Sequence, residues 1–280
     1  MWKPHPKSWT STVQQLSASP LLRKSYEFLS RVPIFGPALQ RFSRFALPSD
    51  FLVWAVIRSG PGKGLWIHLN PRFEMEYLEG DYEPTVWRVL QSHLTPGAVF
   101  YDVGAHIGLF SLVAARDLGV QGSVFVFEPD PTNLRRIEEH ASRNGLGALG
   151  IIPKAAWFID GRMKFQRACS HSSMNRGAIA EDNSAAGEST IEVETVTLDS
   201  FGREHALPSI IKIDVEGSEA AVLRGSEGIF QSAKPVVICE IHHAQAASDV
   251  THWLRARGYV FEWVEDHDQF PRHLYANYVG

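Results

Sequence analysis

Apolar and polar positions alternate along this chain with two different periods, and the places where the period changes mark the elements. Val99-Phe-Tyr-Asp102 is an apolar run that reads as a buried strand ending on an acid, followed by a turn containing Gly104 and Gly108. Phe110, Val113, Ala114 and Leu118 then recur at helical spacing until Gly119 stops the helix. A second strand, Ser123 to Glu128, also finishes on an acid. The helix after it has Asp130 as N-cap, Pro131 at its first position, Leu134, Ile137 and Ala141 on one face and Gly145 past its end. Strand, helix and strand in that order predict a βαβ unit.

The same reading extends both ways. Upstream, Leu65 to Leu69 predicts a short strand, Tyr77 to Pro84 a turn-rich approach and Thr85 to His93 a helix. Downstream, Ile151 to Trp157 predicts a third strand. From Arg162 to Val196 the strand-like runs Met163 to Gln166 and Thr190 to Thr195 stand where a helix is expected, and they predict a hairpin-like insertion. Its polar tip, His171 to Arg176, is either an exposed loop or one that touches substrate. Ile210 to Asp214 and Pro235 to His243 read as two further buried strands. Val250, Trp253 and Leu254 mark a helix closed by Gly258, and Tyr259 to Val264 with His273 to Val279 predict an antiparallel pair at the sheet edge.

Charge sets the first part of the chain apart. Arg23, Lys24, Arg31, Arg41, Arg44 and Arg58 are interleaved with Leu22, Tyr26, Leu29, Leu39 and Phe42, and Pro33, Gly36, Pro37 and Pro48 break the segment into short helices. The expected organisation is an N-terminal helical extension over residues 1–63, a hinge at Gly60-Pro-Gly-Lys-Gly64, and an α/β domain over residues 64–280. The extension either covers the domain and roofs its substrate pocket or makes weak peripheral contact with a membrane surface or acidic partner. A formal net charge of -4 gives no overall basic field for nucleic acid, and two cysteines fit a reducing cytoplasm. The apolar run Phe51 to Ile57 is far shorter than the ~20 residues of a membrane span.

Candidate chemistry collects at the strand ends. In open α/β sheets ligands bind outside the carboxyl ends of the strands, where Glu128 is placed to accept hydrogen bonds from ribose hydroxyls. The loop lacks the dehydrogenase spacing G-x-G-x-x-G. Asp102, Gly104, His106 and Gly108 look instead like motif I of class I S-adenosylmethionine methyltransferases, with His106 in place of the middle glycine. Glu83 either accepts from the ammonium group of a bound amino acid or is a helix-entry carboxylate facing the macrodipole. Ala155 and Ala156 leave room for a flat ring, and Trp157 either stacks on it or belongs to the core. Alternation in Ile210 to Glu219 puts Lys212, Asp214 and Glu216 on one side, while Ser218 and Glu219 read as helix caps. Glu240 and His242 arrive at the neighbouring strand end, and Cys239 reads as a small buried hydrophobe.

Taken together, Tyr82-Glu83-Pro84, Phe100 to Gly108, Phe127-Glu-Pro129, Thr197 to Phe201, Lys212-Ile-Asp-Val-Glu-Gly217 and Glu240-Ile-His242 resemble the FkbM family of methyltransferases, in the same order from about Leu65 to Tyr259. The resemblance implies a class I methyltransferase, Rossmann-like fold with a seven-stranded, mostly parallel sheet. It also implies S-adenosyl-L-methionine as cofactor and O-methylation of a polyketide, sugar or glycolipid hydroxyl. Carried over by position, the cofactor loop is Asp102, Gly104, Ala105, His106, Ile107 and Gly108, and the ribose acid is Glu128, followed by Pro129. His106 stands where the family more often has asparagine, and Trp157 where a smaller residue is usual.

Methyl transfer needs an acceptor oxygen held in line with the sulfonium and relieved of its proton. Asp214, Glu216 and His242 are candidate general bases. The other solution is a divalent metal such as Mg²⁺, for which Asp214, Glu216, Glu240 and His242 form a mixed ligand set. Lys212 either neutralises the carboxylates or orients the acceptor. The competing readings are a nicotinamide-dependent oxidoreductase on a similar sheet and a non-catalytic protein that binds the cofactor; the number of subunits stays open.

Overall fold

The computed structural model describes residues 51–147, 149–167, 177–179 and 190–280. The basic helices expected before residue 51 and the loop tip His171 to Arg176 lie outside the described residues. Contacts divide the chain into two units, Met1–Tyr82 and Glu83–Gly280.

In the first unit, β1 (Val53–Val56) and β2 (Trp66–Leu69) pair antiparallel, with Val53 opposite Leu69 and Val56 opposite Trp66. Val53, Ala55, Ile67 and Leu69 are buried in a period of two, as one covered face requires. The glycine run expected as a hinge is the turn of this hairpin, with the Gly64 amide donating to the Ile57 carbonyl. It therefore joins two strands of one sheet, and the division of contacts falls later, between Tyr82 and Glu83. A short helix, α1 (Glu76–Glu79), follows.

The second unit begins with α2 (Pro84–His93), β3 (Val99–Val103), α3 (Leu109–Leu118), β4 (Ser123–Phe127), α4 (Pro131–Arg143) and β5 (Leu149–Ile152). Four strands come next: β6 (Ala155–Ala156), β7 (Gly161–Arg167), β8 (Gly177–Ile179) and β9 (Thr190–Val196). The chain then runs through α5 (Leu198–Gly202), β10 (Ile210–Ile213), α6 (Glu219–Arg224), α7 (Glu227–Ser232), β11 (Val236–Ile241), α8 (Ala244–Arg255), β12 (Tyr259–Trp263) and β13 (Arg272–Tyr278).

Seven strands form one sheet in the order β12-β13-β11-β10-β3-β4-β5. β3, β4, β5, β10 and β11 run parallel, and β13 is antiparallel to both β11 and β12. That is the α/β sheet with an antiparallel C-terminal edge pair that the pattern and the resemblance lead one to expect. Strands covered on both faces are rich in apolar residues, and all four residues of β10 are buried, the charged Lys212 among them. From β3 the chain order runs outward to β4 and β5 on one side and to β10 and β11 on the other. The ends of β3 and β10 are therefore the topological switch point, where such sheets open a crevice.

The expected third strand does not hold together. Leu149–Ile152 pairs with β4 in the main sheet, whereas Ala155 and Ala156 pair with β9 in a separate four-stranded sheet of order β6-β9-β7-β8. Pro153 has no amide to continue a ladder, and Lys154 N–H turns back to the Ile152 carbonyl at 2.8 Å. The insertion is correspondingly larger than a hairpin. β7 and β9 do pair antiparallel, Met163 opposite Val193, but β6 and β8 flank them.

Candidate functional site

The loop after β3 is drawn tight by backbone contacts. Gly104 and Ala105 both donate their amides to the Phe127 carbonyl at the end of β4, at 2.9 and 3.2 Å. Gly104 has φ 80, and a Cβ there would stand 1.8 Å from the Asp214 carbonyl oxygen, so only glycine fits between β3 and β10. His106 also takes a left-handed φ of 54, and its amide donates to Glu128 Oε2 at 2.8 Å. Ile107 is buried and its carbonyl meets His140 Nδ1 at 3.0 Å, while Gly108 opens α3.

Asp102 and Glu128 both lie at this end of the sheet. Asp102 is 1% exposed and accepts from Ser111 Oγ at 2.5 Å, leaving Oδ1 without a hydrogen-bond partner among the described residues. Burial pushes its carboxyl up, against the opposing charge of Lys212. Glu128 accepts from the His106 and Asp130 amides, both at 2.8 Å, and from Asn133 Nδ2 at 3.3 Å. Burial dominates these bonds and lifts its carboxyl to about 8. Pro129 carries the chain to Asp130, which caps α4 through Thr132 and Asn133 and pairs with Arg167.

Ala155 and Ala156 are buried within the second sheet as its strand β6, and Trp157 is 1% exposed with its amide bonded to Val196. Its carbonyl stands 2.1 Å from where a Gly225 Cβ would be. An indole this enclosed has no face for a flat ring to stack on, so of the two readings of Trp157 the structure shows the core one.

The remaining candidates converge on one charged floor. Lys212, opposite Asp102 in the ladder, is 2% exposed, donates to Asp214 Oδ2 at 3.0 Å and lies 4.8 Å from the Phe110 ring centroid. Burial works against its charge, yet Asp214, Asp102, Glu83 and Glu240 hold the ammonium well above its usual range. Asp214, also opposed by burial, is held well below the carboxylate range by Lys212. For Glu240 burial adds to repulsion from Asp214, and its carboxyl rises to about 8.

His242 Nδ1 meets Glu219 Oε1 at 2.8 Å, and its Nε2 faces Glu216 Oε2 at 3.3 Å, Asp214 Oδ1 at 3.8 Å and Glu240 Oε2 at 3.9 Å. Burial would lower its pKa, but Glu219, Asp214 and Glu240 lift it to about 9. Asp214, Glu240 and His242 each bring a ligand atom within 4.8 Å of the others; Glu216, expected in the metal set, stands outside that triad.

Glu219 corrects its reading as a plain helix cap. It does open α6, but its buried carboxylate turns back to accept the Gly217 amide at 2.8 Å and to hold His242, while Ser218 makes no side-chain cap bond. Two more residues escaped the sequence reading. His273 Nδ1 meets Glu265 Oε1 at 2.6 Å, and Nε2 faces Glu83 Oε2 at 3.4 Å. Burial opposes the charge on His273, but Glu265 and Glu83 raise its pKa to about 10. The available signal was direction: an antiparallel edge strand begins where its parallel neighbour ends, so His273 lies opposite Glu240. Glu83 takes φ 46 and makes no cap bond in α2, so the macrodipole role has no capping contact behind it.

Among the described residues no helix is long and apolar enough to cross a membrane. A hexuronic acid methyltransferase, AglP, of Haloferax volcanii is 28% identical over 176 residues, covering 61% of this chain and 67% of the relative. A 31-O-demethyl-FK506 methyltransferase, FkbM, of Streptomyces tacrolimicus is 30% identical over 195 residues, 59% of this chain and 74% of its own length. The crystal structure of a methyltransferase FkbM from Methylobacillus flagellatus KT aligns at 18% identity and a TM-score of 0.49 over 64% of this chain, which spans 43% of that one. The model of the Methyltransferase FkbM domain matches residues 102–261, more than half of the 280, and the chain therefore belongs to the FkbM methyltransferase family.

Proposed function

We propose that the chain is an S-adenosylmethionine-dependent O-methyltransferase whose acceptor is a hydroxyl of a sugar or polyketide-like molecule. The observation that carries this reading is the imidazole of His242. Its Nδ1 is held by buried Glu219, and its buried Nε2 has no hydrogen-bond partner among the described residues. That nitrogen belongs to the same set of strand ends as the Gly104–Gly108 turn, where a ligand would meet bare backbone and a carboxylate-rich floor suited to a cationic sulfonium. The relatives' names support the acceptor class: one specifies a hexuronic acid, the other an oxygen of demethyl-FK506.

When bound, the cofactor supplies a methyl group already activated on a sulfonium. The turn from Asp102 to Gly108, with Glu128 and Pro129 beside it, holds the nucleoside. Ala155 and Ala156 are the small residues that leave room for its flat ring. His242 Nε2 takes the hydroxyl proton of the acceptor, and Glu219 keeps the second imidazole nitrogen protonated so that Nε2 is the basic one. Asp214 is the weaker base because Lys212 holds it ionised at low pH, and Glu216 faces the same imidazole nitrogen. Lys212 already holds Asp214 Oδ2 at 3.0 Å, so a Lewis-acid metal on Asp214, Glu240 and His242 would have to use Oδ1 of a carboxylate that an ammonium already neutralises, which favours the base.

Melting curves and a transfer assay test the reading. S-adenosylhomocysteine at about 100 times its dissociation constant adds ~2.7 kcal/mol, hence a midpoint shift of roughly 5–11 °C. Labelled methyl groups should then pass from S-adenosylmethionine to hexuronic acids or macrolide alcohols. A shift with NAD alone would overturn this reading, and a shift with S-adenosylhomocysteine but no transfer to any hydroxyl would leave only a cofactor-binding protein.

A further inference from the structure

A second group of ligand-type side chains lies on the other flank of Glu240. Glu83, Glu240 and His273 each bring one donor atom within 4.8 Å of the other two. They come from three separate elements: Glu83 precedes α2, Glu240 is in β11, and His273 is its register partner in β13. His273 is 5% exposed and Glu240 7%, so neither donor is held by bulk water.

Three features separate this group from an ordinary acidic cluster. The first is the anchor on the histidine: His273 Nδ1 is fixed by Glu265 Oε1 at 2.6 Å, and Glu265 Oε2 accepts the His273 amide at 2.7 Å, so the carboxylate locks the ring in place. A carboxylate on the remote ring nitrogen is the usual outer support of a metal-bound imidazole, because it fixes the tautomer and directs the other lone pair at the ion. The second is a pair of buried atoms that meet as an ion pair but complete no hydrogen bond. His273 Nε2 and Glu83 Oε2 are both buried, face each other at 3.4 Å, and have no hydrogen-bond partner among the described residues. Such atoms are costly to bury unless something satisfies them. The third is strain, since Glu83 holds a left-handed φ of 46, uncommon for a residue with a side chain, while its carboxylate lies 3.4 Å from His273 Nε2.

We propose that Glu83, Glu240 and His273 bind a divalent cation, with Glu265 supporting the histidine from outside. Two carboxylate oxygens and one imidazole nitrogen are a donor set for Mn²⁺ or Zn²⁺ rather than Ca²⁺. Three protein ligands leave coordination positions open, as sites that also bind a substrate do. Those positions suit two adjacent oxygens of an acceptor; that clause rests on the proposed function, whereas the cation site itself does not.

Manganese titrated into the full chain without cofactor or acceptor, followed by electron paramagnetic resonance, tests the site directly. One tightly bound ion per chain with coupling to an imidazole nitrogen is expected. His273→Gln should remove the nitrogen coupling, Glu83→Gln should weaken binding, and Glu265→Gln should weaken it by about 10–100-fold. Asp214→Asn should leave it in place. Should His273→Gln fail to fold, the nitrogen coupling in the unaltered protein and the Glu83→Gln titration decide the matter. No bound manganese at millimolar concentration, binding without nitrogen coupling, or binding lost in Asp214→Asn but kept in His273→Gln would each overturn the proposal. None of these outcomes depends on whether methyl transfer is found.

Discussion

The buried carboxylate of Glu219 holds Nδ1 of His242 at 2.8 Å, tying the start of α6 to the end of β11 across 23 residues of sequence. Glu219 is fully enclosed and also accepts the Gly217 amide, so it is held from two sides. In Glu219→Gln the amide keeps the shape but loses the charge and can present its NH₂ to the ring. Above about pH 9, where the imidazole is neutral in both proteins, we expect kcat to fall on the order of 10²-fold with little change in the acceptor KM, and the pKa of His242 to drop from about 9 toward its ordinary 6.5. A pH–rate profile measures both; an unchanged profile would mean that Glu219 does no more than support the helix.

The raised pKa of His242 has its own consequence. If Nε2 is the base, it must be neutral, so kcat/KM should rise about tenfold per pH unit until it levels off near pH 9. The sign for stability is the reverse. A histidine whose pKa in the fold exceeds its unfolded value stabilises fully below about 6.5 and loses that contribution as pH climbs through the folded value. Urea midpoints should therefore decline from pH 7 to 10, through about 9 for His242 and about 10 for His273. His273→Gln should flatten the upper part of that decline.

Gly104 and Gly108 have nearly the same φ but different neighbours. A Cβ on Gly104 would collide with the Asp214 carbonyl at 1.8 Å, and backbone at a switch point cannot move aside. On Gly108 the contact is Ile137 Cγ1 at 3.0 Å, a side chain that can rotate. Gly104→Ala should cost more than about 3 kcal/mol and abolish cofactor binding, and Gly108→Ala about 1–2 kcal/mol, as read from urea unfolding. Equal losses would show that the left-handed backbone, not the approach of β3 to β10, sets the cost.

Much of this was legible in the chain because it is local. The strand, turn and helix around Asp102 to Gly108 follow from neighbouring residues, and so does the Asp130 cap; the single buried run of β10 announces a central strand. What was not legible depends on partners far apart in sequence. Glu219 reads as a cap until β11 places His242 beside it. Glu265 and His273 lie in what looks like a polar turn and edge strand, and only the reversed direction of β13 brings them to the charged floor. The third strand was overextended because Pro153 interrupts a run whose two halves both look apolar. Trp157 was ambiguous because an aromatic next to two alanines fits a ring-stacking site and a core equally well until its burial is known.

Lys212 and Asp214 make the sharpest test of how the floor is balanced. The ammonium is 3% and the carboxylate 18% exposed, and they meet at 3.0 Å. Lys212→Met keeps the length of the side chain but removes the ammonium from both Asp102 and Asp214 and leaves Asp214 only the more distant imidazole of His242 at 3.8 Å, and stranding one member of a buried pair costs roughly 3–5 kcal/mol. The depressed pKa of Asp214 gives stability that is present above its unfolded value near 3.9 and is lost as pH falls toward the folded one, so the variant should lose more at pH 7 than at pH 3. Adding Asp214→Asn should restore about 1–3 kcal/mol by removing the stranded charge. If the double variant is instead as unstable as the sum of the two single ones, Lys212 answers to Asp102 rather than Asp214, and the pairing seen at 3.0 Å is not what holds the lysine in the core.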